Sequence, residues 1–469
     1  MRLFQWVPYY KTMSRTRAWR AYAWVFLSLC AGCATYTPQP LGEGQGIKDV
    51  SRLSASTADM PLPALRMHRF DPSQGLDATD VAILAVANSP ELKVMRDQLG
   101  IARAQAFAAG LLPDPQLTFG KDLLAHRQAG FTSAFNYGIS EDVSSLLTRS
   151  ARKVAAKHQA DQVNLDLLWA EWQAIAQVRL LFNQVLSLRA QQRQLAAEQH
   201  ALAPVDGYVR KALQQGNLTY DGASAGLNAY ADANKRLSDC TVQLHQAEHD
   251  LRLLLGLAPD APLHLVGEPF LASPTKAQVA FALSSLPQRR PDLLALQAGY
   301  NAQETTLRAA ILAQFPALNL GINRQRDTSD VVTNGFTIGL TLPLFDRNRG
   351  NIAIERATRQ QLKDDYDNRV LTTRSDIEQL MADLDTLGRQ HDLLQSQSER
   401  LDQARRVAEA AWQKGLLDWP TYLSIRASAL SADMDFIAAR DQQSQQAIAL
   451  ETLLGSTDLQ PPSVAAATP

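Results

Sequence analysis

One short motif in this sequence could do chemistry, and it lies where a long helix is expected. His245-Gln-Ala-Glu-His249 matches the H-x-x-E-H pattern of one metallopeptidase class. Histidines four residues apart share one helix face and could hold zinc, with Glu248 as the base. A third ligand and a cleft are also required, and neither is evident. Since Leu244 and Leu251 mark an apolar stripe beside the motif, we interpret it as the polar flank of a packed helix. A metallopeptidase stays an alternative.

The remaining candidates for chemistry are weaker. Gly42-Glu-Gly-Gln-Gly46 lacks the spacing of a phosphate loop and follows no strand, so it is interpreted as a linker. Cys240 is expected to be a small packed residue. The net charge of −1 gives no indication of nucleic-acid binding. The sequence therefore predicts no catalytic residue, no metal ligand and no cofactor.

The N-terminus has the composition of an export signal. Residues 1–32 contain basic residues and no acidic one, and the apolar run 21–29 is too short for a typical transmembrane helix. Ala31-Gly32-Cys33 follows and resembles a bacterial lipobox, although Cys30 stands where leucine is usual. We expect cleavage after Gly32 and acylation of Cys33, for example with palmitate. An ordinary secretory signal and a true anchor helix are the alternatives, and Met13 is a second possible start.

The rest of the chain repeats itself. A set of residues recurs 201 positions later, and the offset then becomes 199 for Gly216 and Gly256, which match Gly415 and Gly455. The first set is Pro90, Leu92, Pro115, Leu117, Gly120, Phe135 and Gly138, which recur as Pro291, Leu293, Pro316, Leu318, Gly321, Phe336 and Gly339. Such regular spacing indicates a structural duplication.

Four segments alternate apolar with small or polar residues, which predicts strands with one dry and one wet face. They are 115–123, 131–140, 316–323 and 335–342, joined in pairs by polar loops at 121–130 and 324–334. A soluble sandwich has the same alternation. The wet face is predicted to include Asn136, Gly138, Asn319, Asn323, Thr337, Gly339 and Thr341.

The number of strands restricts how this sheet could cross a membrane. After cleavage no segment reaches 18 continuous apolar residues, so any membrane span must consist of strands. Four strands cannot close a barrel, since about eight are needed. An open sheet edge is not tolerated in lipid. If the strands span a membrane, several chains must therefore share one barrel.

Long helices follow each strand pair. Because residues 149–203 contain neither glycine nor proline, a helix of roughly 100 Å is predicted over 149–214. Turns at Gly216 and Gly415 then reverse the chain, which gives the order helix, strand, strand, helix, turn, helix in each copy. The predicted parts are a signal 1–32, an anchor and belt segment 33–80, a first repeat 81–256, a linker 257–286, a second repeat 287–455 and a disordered tail 456–469.

This duplicated α+β plan resembles the TolC-type outer-membrane efflux factors over nearly the whole mature chain. The most specific local match is 342–355, Leu-Pro-Leu-Phe-Asp-Arg-Asn-Arg-Gly-Asn-Ile-Ala-Ile-Glu, which is similar to the exit from strand to helix in the family's second repeat. Ser89-Pro-Glu-Leu92 and Arg290-Pro-Asp-Leu293 are also similar. The resemblance implies a homotrimer with a twelve-stranded outer-membrane β-barrel continued by a long periplasmic α-helical barrel.

The resemblance also implies a function and partners. The chain would be the passive exit duct of a tripartite efflux pump for metal cations or drugs, bound to outer-membrane lipid, a periplasmic adaptor and an inner-membrane pump of resistance–nodulation–division type. The alternative is a structural coiled-coil lipoprotein without a pore. The family often has acidic residues after its second tip, where this chain has Thr421 and Ser424. The tip residues implied to contact the adaptor are Gly216, Asn217, Tyr220, Gly415, Leu416, Asp418 and Trp419.

Overall fold

The computed structural model describes residues 36–42, 44, 46–50, 57–58, 60–126, 130–269 and 274–455. The predicted signal, Cys33 and the tail beyond 455 lie outside these ranges. Residues 36–42 form no helix or strand and are exposed. The remaining described residues belong to a second unit, which begins at Gly46.

That unit is mainly helical, with one small sheet. Its elements, in chain order, are α1 Pro63–Met67, α2 Ala78–Asn88, α3 Pro90–Ala109, β1 Gln116–Asp122, β2 Ala134–Asp142, α4 Val143–Gln214, α5 Tyr220–Leu254, α6 Lys276–Arg289, α7 Pro291–Leu312, β3 Ala317–Arg326, β4 Val332–Thr341, α8 Arg349–Gln413 and α9 Trp419–Leu454. The order of α2 to α5 recurs as α6 to α9, which confirms the duplication.

The sequence predicted one helix before the strands of each copy, and this prediction is wrong because the structure has two helices there. A proline opens the second of them in both copies, Pro90 in α3 and Pro291 in α7. Proline disfavours a helical residue before it, so the first helix ends there and the second begins. In the second copy, α6 begins at Lys276, inside the segment predicted to be a linker.

The four strands form one antiparallel sheet in the order β1-β2-β3-β4. Strand positions were predicted well, but the strand ends were not. In the second hairpin β3 extends to Arg326 and β4 begins at Val332, so the loop between them is shorter than the predicted 324–334. In the first hairpin β2 begins at Ala134, beyond the predicted Phe131. The helices join the sheet at the end opposite to these hairpin loops.

The two copies leave the sheet differently. In the first copy β2 runs directly into α4, and the Asp142 carboxylate caps that helix by accepting from the Ser144 amide at 2.9 Å. The helix therefore starts before the predicted residue 149. In the second copy Pro343 follows β4, and Arg347 and Asn348 have φ of 48° and 54° before α8 begins. These left-handed residues turn the chain, as expected where proline ends the strand.

Very long helices were predicted and are present. Helix α4 has 72 residues and α8 has 65, and α4 continues through Pro204. Trp172, Ile175 and Val178 of α4, which follow helical spacing, are buried. Helix α4 packs along α5, α7, α3 and α9, and α8 packs along α9 and α7. No helix among the described residues has the length and apolar character to cross a membrane.

A core beside the middle of α4 ties the segment before the first copy to the segment after it. Leu65, Leu76 and residues 81–86 of α2 pack with α4, α5 and Leu257–Leu265. Two parallel bridges, Ile47 to Leu257 and Leu76 to Leu265, connect the same segments. Parts of the segments 33–80 and 257–286 thus pack together in this core.

Candidate functional site

The wet face of the sheet is built from asparagines paired with glycines. Asn323 lies opposite Gly138 on one neighbouring strand and Gly335 on the other, and Asn319 lies opposite Gly339. The strand register brings every residue predicted for this face to the same side of the sheet. They are Asn136, Gly138, Asn319, Asn323, Thr337, Gly339 and Thr341.

The glycines leave space on this face for the neighbouring side chains. A Cβ at Gly335 would lie 2.8 Å from the Asn323 Oδ1 atom, and a Cβ at Gly138 would lie 3.2 Å from the Asn323 Cβ atom. Asn323 therefore occupies the space that its cross-strand neighbours leave open. The result is a polar surface of short side chains and bare backbone, with no apolar cover.

The opposite face is apolar over its central rows. Leu117, Ile139, Ile322 and Phe336 form one row across all four strands, and each is exposed. No helix in the described part of the chain covers this face, although exposed aliphatic and aromatic side chains are costly in water. Its next row towards the helices contains Leu320 and Ile338.

Both edges of the sheet are free within one chain. Strand β1 pairs only with β2, and β4 pairs only with β3. Each edge therefore presents a row of backbone N–H and C=O groups with no partner among the described strands. Such edges must be paired if the sheet lies in lipid.

The helical turns at the far ends of α4 and α8 are identical in geometry. Gly216 and Gly415 have φ of 71° and 67°, a left-handed conformation that suits glycine. The amide of Asn217 donates to the Ala212 carbonyl, and that of Leu416 donates to the Ala411 carbonyl, both at 2.9 Å. These are the bonds of a Schellman motif, which ends a helix and reverses the chain.

A side chain caps the helix that follows each turn. The Thr219 hydroxyl accepts from the Gly222 amide at 3.2 Å, and the Asp418 carboxylate accepts from the Thr421 amide at 2.8 Å. The bonds from Thr421 hold the pKa of Asp418 below its usual range. Asp418 thus has a structural use at the tip. Tyr220 and Leu416 are exposed, whereas Trp419 packs on Gly226 of the other hairpin.

We expect Asp418→Ala to speed hydrogen exchange at the Thr421 amide, while Asp418→Asn, which can still accept a hydrogen bond, keeps most of the protection. Because the folded-state pKa is lowered, the cap is fully formed above the unfolded-state value near 3.8 and is lost as the pH falls through the lower value. Mass-spectrometric exchange at neutral pH compares the variants. Equal exchange at Thr421 in wild type and Asp418→Ala would contradict the cap.

A buried polar cluster lies behind the tips and joins three helices. We call it the tip cluster: Glu198 of α4, Glu409 of α8, and Tyr422 and Arg426 of α9. The Arg426 Nη2 atom is 2.6 Å from the Glu198 Oε2 atom, and its Nη1 atom is 2.8 Å from the Glu409 Oε2 atom. Arg426 is only 4% exposed. Burial and the bond to Glu409 raise the pKa of Tyr422 to about 12, so its hydroxyl stays protonated.

Apolar groups surround the tip cluster. The Trp412 ring stacks on Tyr422 with ring centroids 4.7 Å apart. Leu202, Val205 and Val209 of α4 pack with Leu423 in the same core. This core fixes the two helical hairpins to each other close to their turns.

Sequence reasoning missed the tip cluster, although a signal for it exists. Leu195, Glu198 and Leu202 follow helical spacing, so the glutamate interrupts an apolar stripe of α4. A charge at such a position needs a partner of opposite charge. Finding Arg426 as that partner requires the register between α4 and α9, which no local pattern supplies.

The H-x-x-E-H motif does not form a metal site. The Glu248 carboxylate is 2.7 Å from Arg189 and 3.3 Å from Arg252, so it is engaged in ion pairs. Within the described residues the only grouping with metal-ligand geometry is His68, Asp77 and Asp80. Cys240 is buried, as expected for a small packed residue.

The capping box of α2 occupies the carboxylates of that group. Asp77 accepts from the Thr79 and Asp80 amides, and Asp80 accepts from the Asp77 amide. The same Asp80 carboxylate lies 3.0 Å from the His68 ring. The grouping is therefore explained as a helix start tied to α1.

Comparison with known proteins agrees with the geometry of the sheet and the helices. A family model described as "Outer membrane efflux protein" matches residues 282–456, which is the second copy. The second copy is therefore similar to the outer membrane efflux protein family. The family resemblance stated from the sequence is thereby confirmed, and the duplication relates the first copy to the matched one.

Relatives named as outer membrane proteins match nearly the whole chain. The pyoverdine export outer membrane protein OpmQ of Pseudomonas aeruginosa is 26% identical over 461 residues, 91% of this chain and 94% of that protein. The putative multidrug resistance outer membrane protein MdtQ of Escherichia coli K12 is 25% identical, covering 92% of this chain and 96% of that protein.

Solved structures share the fold. A membrane protein from Pseudomonas aeruginosa superposes with a TM-score of 0.71 at 20% identity, covering 92% of this chain and 99% of that one. The outer membrane protein VceC of Vibrio cholerae superposes with a TM-score of 0.67 at 17% identity, covering 84% and 99%. The duplicated α+β architecture is therefore that of TolC-type outer-membrane channels.

Proposed function

We propose that this outer-membrane efflux protein is the passive exit duct of a tripartite pump, assembled as a homotrimer. The observation that carries the proposal is the sheet: one face is polar and glycine-rich, the other is apolar and uncovered, and both edges are free. Three such sheets joined edge to edge would close a twelve-stranded barrel. Its apolar face would meet lipid and its polar face would line water.

Edge pairing is the physical reason for assembly. Lipid offers no hydrogen bonds to backbone groups, so β1 of one chain must pair with β4 of the next. Four strands are too few to close alone, and twelve leave a lumen. The number three comes from the family, while the free edges of β1 and β4 require more than one chain.

The helices extend the duct away from the membrane, and the paired turns at Gly216 and Gly415 form its far end. Helix α4 has 72 residues and would reach about 108 Å at 1.5 Å per residue. We infer that this end meets a periplasmic adaptor, joined to an inner-membrane pump of resistance–nodulation–division type, and that acylated Cys33 adds an anchor in outer-membrane lipid. Exposed Asn217, Tyr220 and Leu416 are suited to such contacts.

Chemistry is not proposed for this chain, since its sheet and tips contain no catalytic arrangement. Relatives are named for pyoverdine export and for multidrug resistance. We propose small drug-like molecules or metal cations as the exported substrates. The duct conducts what the pump delivers, because short polar side chains and bare backbone offer no specific binding site.

Adjacent residues on opposite faces of β4 provide a test of the lumen. A Cβ at Gly339 makes only ordinary contacts, the nearest being the Asn319 Cβ atom at 3.5 Å, so a side chain can begin there without a clash. We expect Gly339→Phe to lower single-channel conductance in planar bilayers, since three rings enter the lumen of a trimer. Leu340→Phe is the matched control and should conduct like wild type.

Equal conductance of wild type and Gly339→Phe would contradict the assigned lumen face. A reduction by Leu340→Phe alone would place the lumen on the other face. Wild-type protein that inserts without conducting would favour the structural coiled-coil lipoprotein.

A further inference from the structure

Three cations interrupt the apolar face of the sheet, and all lie at its hairpin end. The outermost row across the strands is Lys121, Phe135, Arg326 and Val332. The next row is Phe119, Tyr137, Arg324 and Asn334. We call these two rows the basic–aromatic rows. The rows nearer the helices contain only apolar residues until Glu141 at the end of β2, so the cations are confined to one end.

The cations and the aromatic rings alternate in space. The Arg326 guanidinium lies 5.0 Å from the centre of the Phe135 ring, and that ring stacks on Tyr137. Phe119 is 74% exposed and pairs with Tyr137 across the strands. Neighbouring strands lie about 4.8 Å apart, so Lys121 and Arg326 are separated by about 10 Å with Phe135 between them.

Positive charge in these rows is largely uncompensated. Arg326 pairs with Asp330 at 3.3 Å. Lys121 and Arg324 form no ion pair with any described residue. The carboxylate of Asp327 accepts from the Ser329 and Val331 amides at 2.9 Å, so it is used within its own loop. The rows themselves contain no acidic residue.

Charge on a face that is otherwise apolar needs a counter-charge at that depth. Aromatic side chains prefer the boundary between acyl chains and headgroups, and lysine and arginine reach from an apolar surface towards anionic groups there. A protein partner is disfavoured, since this face of a membrane barrel is surrounded by lipid. The apolar rows below the cations provide the surface on which acyl chains would lie.

We propose that the basic–aromatic rows bind the phosphate groups of a lipid whose acyl chains lie on the apolar rows beneath them. Arg324 and Lys121 contact the phosphates. Phe119 and Tyr137 contact the part of each acyl chain that adjoins the headgroup. This inference rests on the proposed function, because it requires the apolar face to meet lipid. The hairpin end is remote from the helices, so the site belongs to the leaflet facing away from them.

Native mass spectrometry of the full chain in detergent tests the site, with diphosphoryl lipid A as the probe. Each cation near an anionic surface contributes roughly a fivefold gain in affinity. We therefore expect Arg324→Gln and Lys121→Gln each to weaken lipid binding about fivefold. Arg400→Gln is the matched control, since Arg400 is exposed on α8, outside the sheet. Its affinity should equal that of wild type.

Two further probes identify the source of the phosphate. Dephosphorylated lipid A should bind wild type and Arg324→Gln with equal affinity. Its affinity for wild type should be lower than that of the phosphorylated lipid. Inorganic phosphate should not compete at concentrations matching the lipid. Equal binding of both lipids by wild type, or unchanged affinity in Arg324→Gln and Lys121→Gln, would overturn the proposal. Effective competition by inorganic phosphate would overturn the lipid assignment.

The outcome is separable from that of the proposed function. Arg324→Gln lies on the face opposite to Gly339, so it should conduct like wild type while losing lipid affinity. If wild type does not conduct and yet binds the phosphorylated lipid through Arg324, the duct fails and the lipid site stands. If wild type conducts and the lipid does not distinguish Arg324→Gln, the duct stands and the site fails.

Discussion

Replacing Arg426 with methionine should loosen the helical tips strongly. The change leaves the Glu198 carboxylate buried without its partner, since the arginine supplies bonds of 2.6 Å and 3.3 Å to it. Breaking a buried ion pair by removing one partner costs roughly 3–5 kcal/mol. Hydrogen exchange at amides near Tyr422 should therefore accelerate by about a hundredfold or more, since about 1.4 kcal/mol corresponds to tenfold.

An exposed pair between an arginine and a carboxylate is the matched control. Arg389 and Asp385 lie one turn apart on α8, and both are largely exposed. Exposed pairs contribute little, so Arg389→Met should leave exchange nearly unchanged. Similar exchange rates at the tips in wild type and Arg426→Met would show that the cluster does not hold the hairpins together. If adding Glu198→Leu to Arg426→Met restores slow hydrogen exchange at the tips, the buried, unpaired Glu198 carboxylate is the cause of the faster exchange.

Proline at either of two adjacent positions in β4 should prevent assembly. In an antiparallel sheet consecutive residues direct their N–H groups to opposite neighbours. Of Thr337 and Ile338, one donates towards β3 and the other towards the free edge. Proline removes the donor in both cases. If the edge of β4 pairs with another chain, Thr337→Pro and Ile338→Pro should both abolish the oligomer seen by native mass spectrometry.

The two proline variants should differ from each other if the edge of β4 pairs with no other chain. In that case only the proline facing β3 disturbs the sheet, and the other variant behaves like wild type. Thr337→Val and Ile338→Thr preserve strand propensity and serve as controls that should assemble normally. Assembly of one proline variant with wild-type mass would contradict edge pairing of β4.

Local patterns in the sequence were sufficient to predict the sheet and the two tips. Alternation fixes which residues share a face, because strand side chains point to opposite sides in turn. Asn319, Asn323 and Gly339 could therefore be predicted to share a face without knowledge of strand pairing, and the strand register places them on one face. Gly216 and Gly415 could be predicted as turns because a left-handed residue at a helix end favours glycine.

Features that depend on contacts across the chain could not be predicted in this way. The partner of Glu198 is Arg426, which lies 228 residues further along the chain. Helix α4 passes through Pro204, as the predicted helix over 149–214 required, and packing with α5 and α9 extends along that helix. Pro90 and Pro291 mark where the first helix of each copy ends. They had been interpreted only as members of the repeated set.

The mass of the detergent-extracted protein tests the central claim most directly, which is that several chains share one barrel. Light scattering with the detergent contribution subtracted gives that mass. We expect three times the mass of the processed chain, whose unprocessed form is 51.5 kDa. A monomer would contradict it, because four strands with two free edges cannot form a pore in lipid.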